Sequence, residues 1–258
     1  KEDGSVEELE QKNVDTGMGL ERVVARLNDK GSAYETDMFM PIIKKLEELS
    51  GKEYTKNEQV KHSMRIIADH IRASVFILGD GEKITPSNKE HGYVLRRLLR
   101  RSMNHGRKLD IEEDFLKGIS EVVIDIYSDT YPELKERKLR VFNEVEKEEE
   151  KFSRTLDRGY EEFENIVSDK QEGDLISGKE AFDLYQSYGF PLDMTSELGE
   201  ERGYEVDKEG FEEAKEEHKR KSRQGSKKKF KGGLADRSDM SVKYHTATHL
   251  LHAALREV

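Results

Sequence analysis

The chain has no cysteine, so disulfides are excluded and a reducing compartment fits. No apolar run approaches the roughly 18 residues of a membrane-crossing helix, and no signal-peptide pattern opens the sequence. The reading is a cytoplasmic protein with no membrane partner. A net excess of base is also missing. Acidic residues number 55 against 45 basic ones, a formal charge of −10, so any nucleic-acid binding needs a local basic stripe. Hydrophobic residues are scarce at 34%, while 39% are charged, which favours helices with wide solvated faces over a β-sandwich. With 258 residues, one large or two modest domains are expected. The sequence opens on Lys1 and stops at Val258 within the helix-periodic run HTATHLLHAALREV, which suggests part of something longer.

Apolar spacing predicts a mainly helical chain. In TDMFMPIIKKLEEL, the residues Met38, Ile42, Ile43, Leu46 and Leu49 share one side. VKHSMRIIADHIRASVFIL repeats the pattern more strongly, and GDGEKITPSNKEHG follows as a loop by composition. YVLRRLLRRSMNHGRKL reads as a helix ending near Gly106. From Leu139 to Val167, apolar residues three, four or seven apart predict one long helix with a narrow seam and an acidic face left in water. EAFDLYQSYGFPLDMTSEL reads as helix, turn, helix about Gly189 and Pro191, and the Lys-rich stretch KRKSRQGSKKKFKGGLADRSDMS as a linker.

Four groups of residues are candidates for chemistry. On a helical wheel Arg96, Arg97, Arg100 and Arg101 lie opposite Leu95, Leu98, Leu99, Ser102 and Met103. Four guanidiniums on one exposed face repel each other unless an anion lies across them, and a phosphate backbone suits the arginine fork. The alternative is a basic face neutralised by the acidic long helix. Asn88 in the preceding loop favours RNA. His245 and His249 stand four apart on a helix, where two imidazoles can face one metal, but two nitrogens do not fill a tetrahedral zinc site. His252 is either a third ligand or a packed or solvent histidine. Asp69, His70 and Arg72 in ADHIR read as a catalytic cluster or as a charged cap on a core helix. In GMGLER, Gly17 and Gly19 allow backbone to approach a flat or phosphate-bearing ligand, and Arg22 at the next helix start would meet negative charge.

Taken in order, NVDTGMGLERVVARL, YETDMF, RIIADHIR, PSNKEHGYVLRRLLRRSMNHGRKL, EEEKFSRTLDRG, LYQSYGFPLDMT and HTATHLLHAALR resemble consecutive signatures of the alanyl-tRNA synthetase family. The resemblance implies that residues 1–33 end a class II catalytic domain, a short β/α remnant before a mainly α remainder. GMGLER would be its motif 3. Arg22 would bind the ATP triphosphate and act on its developing charge, Gly17 and Gly19 would admit substrate, and Asp15 with Gly17 would hold alanine. Residues 34–221 would form the helical tRNA-recognition domain, and 222–258 a linker and the start of an editing domain. His245 and His249 would be part of that domain's zinc site, and the β-barrel that often precedes it would be missing.

Motifs 1 and 2 of the family are not in this sequence, so the isolated chain is expected to be inactive and to bind no cofactor. ATP and Mg²⁺ would belong to the whole enzyme, and Zn²⁺ to the complete editing domain. The implied partner is the acceptor stem of tRNA(Ala), RNA and not DNA, marked in this family by a G·U wobble pair. Asn88 would read that pair while Arg96, Arg97, Arg100 and Arg101 hold phosphates. Gln186 stands where the family commonly has Asp in LYDTYG, and Asp193 is a candidate replacement. The alternative is a subunit or adaptor that binds tRNA without chemistry.

Overall fold

The computed structural model describes residues 17–111, 114–171, 173–229 and 239–256. Helix α1 (Leu20–Leu27) leads through a 3-10 turn at Ala33–Glu35 to α2 (Met40–Ser50) and α3 (Glu58–Gly79). α4 (Glu90–Lys108), α5 (Leu116–Tyr127), the short α6 (Pro132–Glu136) and the long α7 (Lys138–Ser168) follow. Two-residue strands β1 (Leu175–Ile176) and β2 (Glu205–Val206) flank the pair α8 (Gly178–Tyr188) and α9 (Leu192–Arg202). α10 (Lys208–Lys229) and α11 (Asp239–Ala254) complete the described order. The mainly α expectation holds. The strands pair in parallel, with Leu175 opposite Glu205 and Ile176 opposite Val206, and close the base of the α8–α9 pair.

Local chemistry accounts for the boundaries. Asn57 caps α3 by accepting from the Val60 N–H at 2.8 Å. α2 starts later than its apolar pattern, at Met40, with Pro41 in its first turn where a missing N–H costs nothing. Ser177 and Glu180 form a reciprocal capping box on α8. Gly189 ends that helix at φ +75°, a left-handed conformation that a side chain would resist. The stretch 222–229, expected as linker, continues α10, since Lys, Arg and Gln are good helix formers.

The core is one continuous seam. Ile42, Ile43 and Leu46 of α2, Met64, Ile67, Ile71 and Val75 of α3, and Leu95 and Leu99 of α4 meet Ile119 and Val123 of α5 and Val141, Val145 and Phe152 of α7. Each such side chain contributes about 1.5–3 kcal/mol when fully buried, against about 0–1 kcal/mol for an exposed ion pair. Apolar packing therefore holds the bundle, and charged contacts set how its helices sit. A smaller cluster of Ala181, Phe182 and Phe211 seats α10 on α8.

Two sequence expectations need correction. The long helix does not leave its whole acidic face in water: Glu148 and Glu149 are buried at 4% and 1% exposure. Glu149 accepts from the Phe115 N–H at 3.1 Å and caps the entry to α5. Leu139, placed in the apolar seam by spacing, is 76% exposed because it lies on the side of α7 away from Val141, which faces the core. Among the described residues, no helix is long and apolar enough to cross a membrane.

Candidate nucleic-acid interface

The loop before α4 folds back on that helix because Gly92 has no side chain. A Cβ there would lie 2.5 Å from the Thr85 carbonyl oxygen, and the Ser87 N–H donates to the Gly92 carbonyl at 2.9 Å. This brings exposed Asn88 beside Arg96, whose Nη1 donates to Asn88 Oδ1 and whose Nη2 donates to the Pro86 carbonyl at 3.1 Å.

One turn along α4, Arg100 lies over the Phe152 ring at 4.6 Å and donates to the Gly189 carbonyl at 2.7 Å. Glu148 of α7 takes both arginines: its Oε1 is 2.6 Å from Arg100 Nη2 and 3.1 Å from Arg96 Nε. Burial pulls the Arg100 guanidinium below its ordinary pKa against the opposing pull of Glu148. An arginine remains charged there.

Arg96 and Arg100 line a cleft of about 200 Å³ with Asn88 on one wall, Gln186, Ser187 and Tyr188 on the other, and Lys151 and Thr155 from α7 between them. Two arginines share one carboxylate, so a positive charge is left over, and Lys151 adds another. Asn88 and Gln186, separated by almost a hundred residues, thus line the same cleft. Nothing in local sequence spacing could have paired them.

The four arginines do not form the exposed face expected from the wheel. Arg100 is buried, at 7% exposure, because α4 is covered by α3 on one side and by α7 to α9 on the others. Arg101 donates from Nε to Glu197 at 3.0 Å and lies 3.3 Å from His70 Nε2. Arg97 pairs with Asp193 at 3.3 Å, both side chains about two-fifths exposed. It is the most accessible of the four. The neutralising carboxylates come from α9 as well as from the long helix, and Asp193, proposed as a base-reading group, is occupied by Arg97.

Glu148, Lys151, Gly189 and Glu197 were missed by sequence reasoning. Glu148 carried a signal: Val145 and Phe152 lie on the seam, and the position three after the first and four before the second must face the same way. Glu197 gave none.

A second polar chain reaches the N-terminal helix. Arg72 donates to Glu21 at 2.7 Å, lies 3.9 Å from Asp69 and covers the Phe39 ring at 4.3 Å. His70 Nδ1 stands 3.4 Å from Asp69. Asp69, His70 and Arg72 therefore tie α1, α3 and α4 together. Gly17, Gly19 and Arg22 are exposed, and Gly19 takes an ordinary negative φ of −72°. Asp15 lies outside the described residues. His245 and His249 face each other with Nε2 atoms 3.2 Å apart on exposed α11. Among the described residues, no three His, Cys, Asp or Glu gather as a metal site, so these two make at most half of a tetrahedral one.

A family model described as tRNA synthetases class II (A) matches residues 1–255. The alanine--tRNA ligase of Treponema pallidum is 48% identical over 99% of this chain and 43% of its own length. That of Borreliella afzelii is 49% identical over the whole chain and 43% of its own length. That of Thermus thermophilus is 46% identical over 85% of the chain and 24% of its own length. The chain belongs to the alanyl-tRNA synthetase family of class II tRNA synthetases, and it spans less than half the length of these relatives.

Proposed function

We propose that this chain is the acceptor-stem-binding helical part of an enzyme that activates alanine with ATP and transfers it to tRNA(Ala), with motif 3 at its N-terminal end. The observation that carries the reading is the cleft that Asn88 and Gln186 line together beside Arg96, Arg100 and Lys151. A-form RNA presents its wide, shallow minor groove, where a G·U wobble displaces the guanine 2-amino group and the uracil carbonyl. Side-chain amides can pair with both. The uncompensated positive charge suits the flanking phosphates.

In the whole protein, exposed Arg22 would meet the ATP phosphates and stabilise charge developing on them, with no proton transferred. Gly17 and Gly19 leave the backbone open to substrate. Mg²⁺ would neutralise the phosphates when bound. His245 and His249 would supply two nitrogens of a zinc site completed by other residues.

Binding of two acceptor-stem hairpins, one G·U and one G·C, at several salt concentrations tests the reading. Asn88→Ala should cost about 1–3 kcal/mol on the G·U stem and much less on the G·C stem. Equal losses on both stems would reduce Asn88 to a positioning contact and remove the reading's main support. The isolated chain should show no alanine-dependent exchange between ATP and pyrophosphate; robust exchange would contradict the placement of motif 3 as one part of a larger site.

A further inference from the structure

We infer that Glu148 is a positioning residue for RNA discrimination: one buried carboxylate holds both walls of the cleft and decides which end of the Asn88 amide faces the RNA. The inference rests on the acceptor-stem reading above. Glu148 sits on neither wall and would touch no base.

Both walls hang from its Oε1. On one side Glu148 attracts Arg96 as an ion pair at 3.1 Å, without a hydrogen bond to its Nε, and Arg96 in turn donates to Asn88 and to the Pro86 carbonyl. On the other it accepts from Arg100 Nε at 2.7 Å, and Arg100 holds the Gly189 carbonyl in the turn after Gln186. The loop before α4 and the turn between α8 and α9 have no shared backbone pairing. Their spacing is set through the two guanidiniums that converge on one oxygen, beside the Thr155 hydroxyl, which donates to the Tyr188 carbonyl at 3.0 Å, and the Tyr93–Tyr185 ring contact at 6.2 Å.

The same contacts orient Asn88. Arginine only donates hydrogen bonds, so the amide atom facing Arg96 must be the oxygen. That leaves the Asn88 NH₂ as the group offered to the cleft. Asn88 then donates, and its RNA counterpart is an acceptor such as the displaced uracil carbonyl. Gln186, across the cleft, is left to accept from the guanine amino group. Stability alone is a poor reason to keep this arrangement. Replacing buried ion triads with apolar side chains is often neutral or stabilising, whereas an apolar residue at 148 would release both arginines.

The test compares hairpin binding by the chain and by Glu148→Gln, Arg96→Lys, Asn88→Asp, Asn88→Ala and the double variant Glu148→Gln/Asn88→Ala. Glu148→Gln keeps the shape and removes the charge. Arg96→Lys keeps a cation for Glu148 but loses the fork that also reaches Asn88. Each should lower the G·U over G·C preference roughly tenfold. The double variant should lose less preference than the two single losses added, because part of the action of Glu148 runs through Asn88 and only the rest through the Gln186 wall. Asn88→Asp, which keeps the oxygen and loses the NH₂, should lose the preference as fully as Asn88→Ala.

Circular dichroism and a melting curve accompany every variant. If Glu148→Gln does not fold, Arg96→Lys decides the matter. Retained preference in the folded Glu148 and Arg96 variants, beside a collapsed one in Asn88→Ala, would overturn the role of Glu148 alone. Retained preference in Asn88→Asp would overturn the donor assignment. An intact preference in Asn88→Ala would instead bring down the acceptor-stem reading itself.

Discussion

Arg72 of α3 donates to Glu21 of α1 at 2.7 Å, which fastens the helix carrying Arg22 to the bundle. Glu21 and Arg22 are adjacent in sequence but have opposite fates: one points into a partly buried ion pair and the other into solvent. Arg72→Ala should lower unfolding free energy by about 1.5–3 kcal/mol, the value of a charge-assisted hydrogen bond. Arg22→Ala should change it by less than about 0.5 kcal/mol, yet abolish alanine-dependent pyrophosphate exchange in the complete protein. Urea unfolding and the exchange assay check the pair, and a large stability loss in Arg22→Ala would contradict its assignment.

Arg97 and Arg101, equivalent on a helical wheel, should behave differently. The Arg97–Asp193 pair is half in water, so Arg97 can exchange its carboxylate for a phosphate at little cost. Arg97→Ala should weaken binding to both hairpins alike and reduce the salt dependence by about one ion. Arg101 is tied to Glu197, and Arg101→Ala should act chiefly on stability. A salt slope unchanged by Arg97→Ala would remove it from the interface.

Gly92→Ala should push the 85–88 loop off α4, since the new methyl would meet the Thr85 carbonyl. Gly189→Ala must adopt φ +75° and would collide with the Arg100 guanidinium. Each should cost about 1–3 kcal/mol, and each should also reduce the G·U preference because each displaces one wall. Hairpin binding by the folded variants reads this, and full preference in both would detach the walls from the discrimination.

Acid should weaken the fold in two stages. Burial pulls the His105 imidazole below its ordinary 6.5, against the pull of Glu197. Burial would raise Glu197, but His105 and Arg101 overcome it and hold the carboxyl at about 2, below its ordinary 4.5. Both folded-state values are depressed, so the unfolded chain takes up each proton first. Their stabilisation is complete above the ordinary values and is lost as pH falls, first below 6.5 and then from 4.5 towards about 2. Glu197→Gln should flatten the lower stage by up to one proton, about 1.4 kcal/mol per pH unit. Urea midpoints from pH 7 to pH 2 measure the slope, and an identical acid limb in the variant would disprove the assignment.

The helices were legible because their signals are local. The stripe Met64, Ile67, Ile71, Val75 specifies α3, the 139–167 spacing specifies α7, and Gly189 with Pro191 marks the turn between α8 and α9. The order of short motifs likewise placed the chain in its family. What periodicity cannot state is how many sides of a helix are covered. It placed Arg100 in solvent, yet the tertiary structure buries it over Phe152, and it assigned Glu148 and Glu149 to water although both lie inward. The meeting of Asn88 and Gln186 across one cleft was decided by tertiary packing alone. A backbone turn registers which residues precede and follow it, whereas a guanidinium between two helices takes the carboxylate that folding brings within about 3 Å, whatever its distance along the chain.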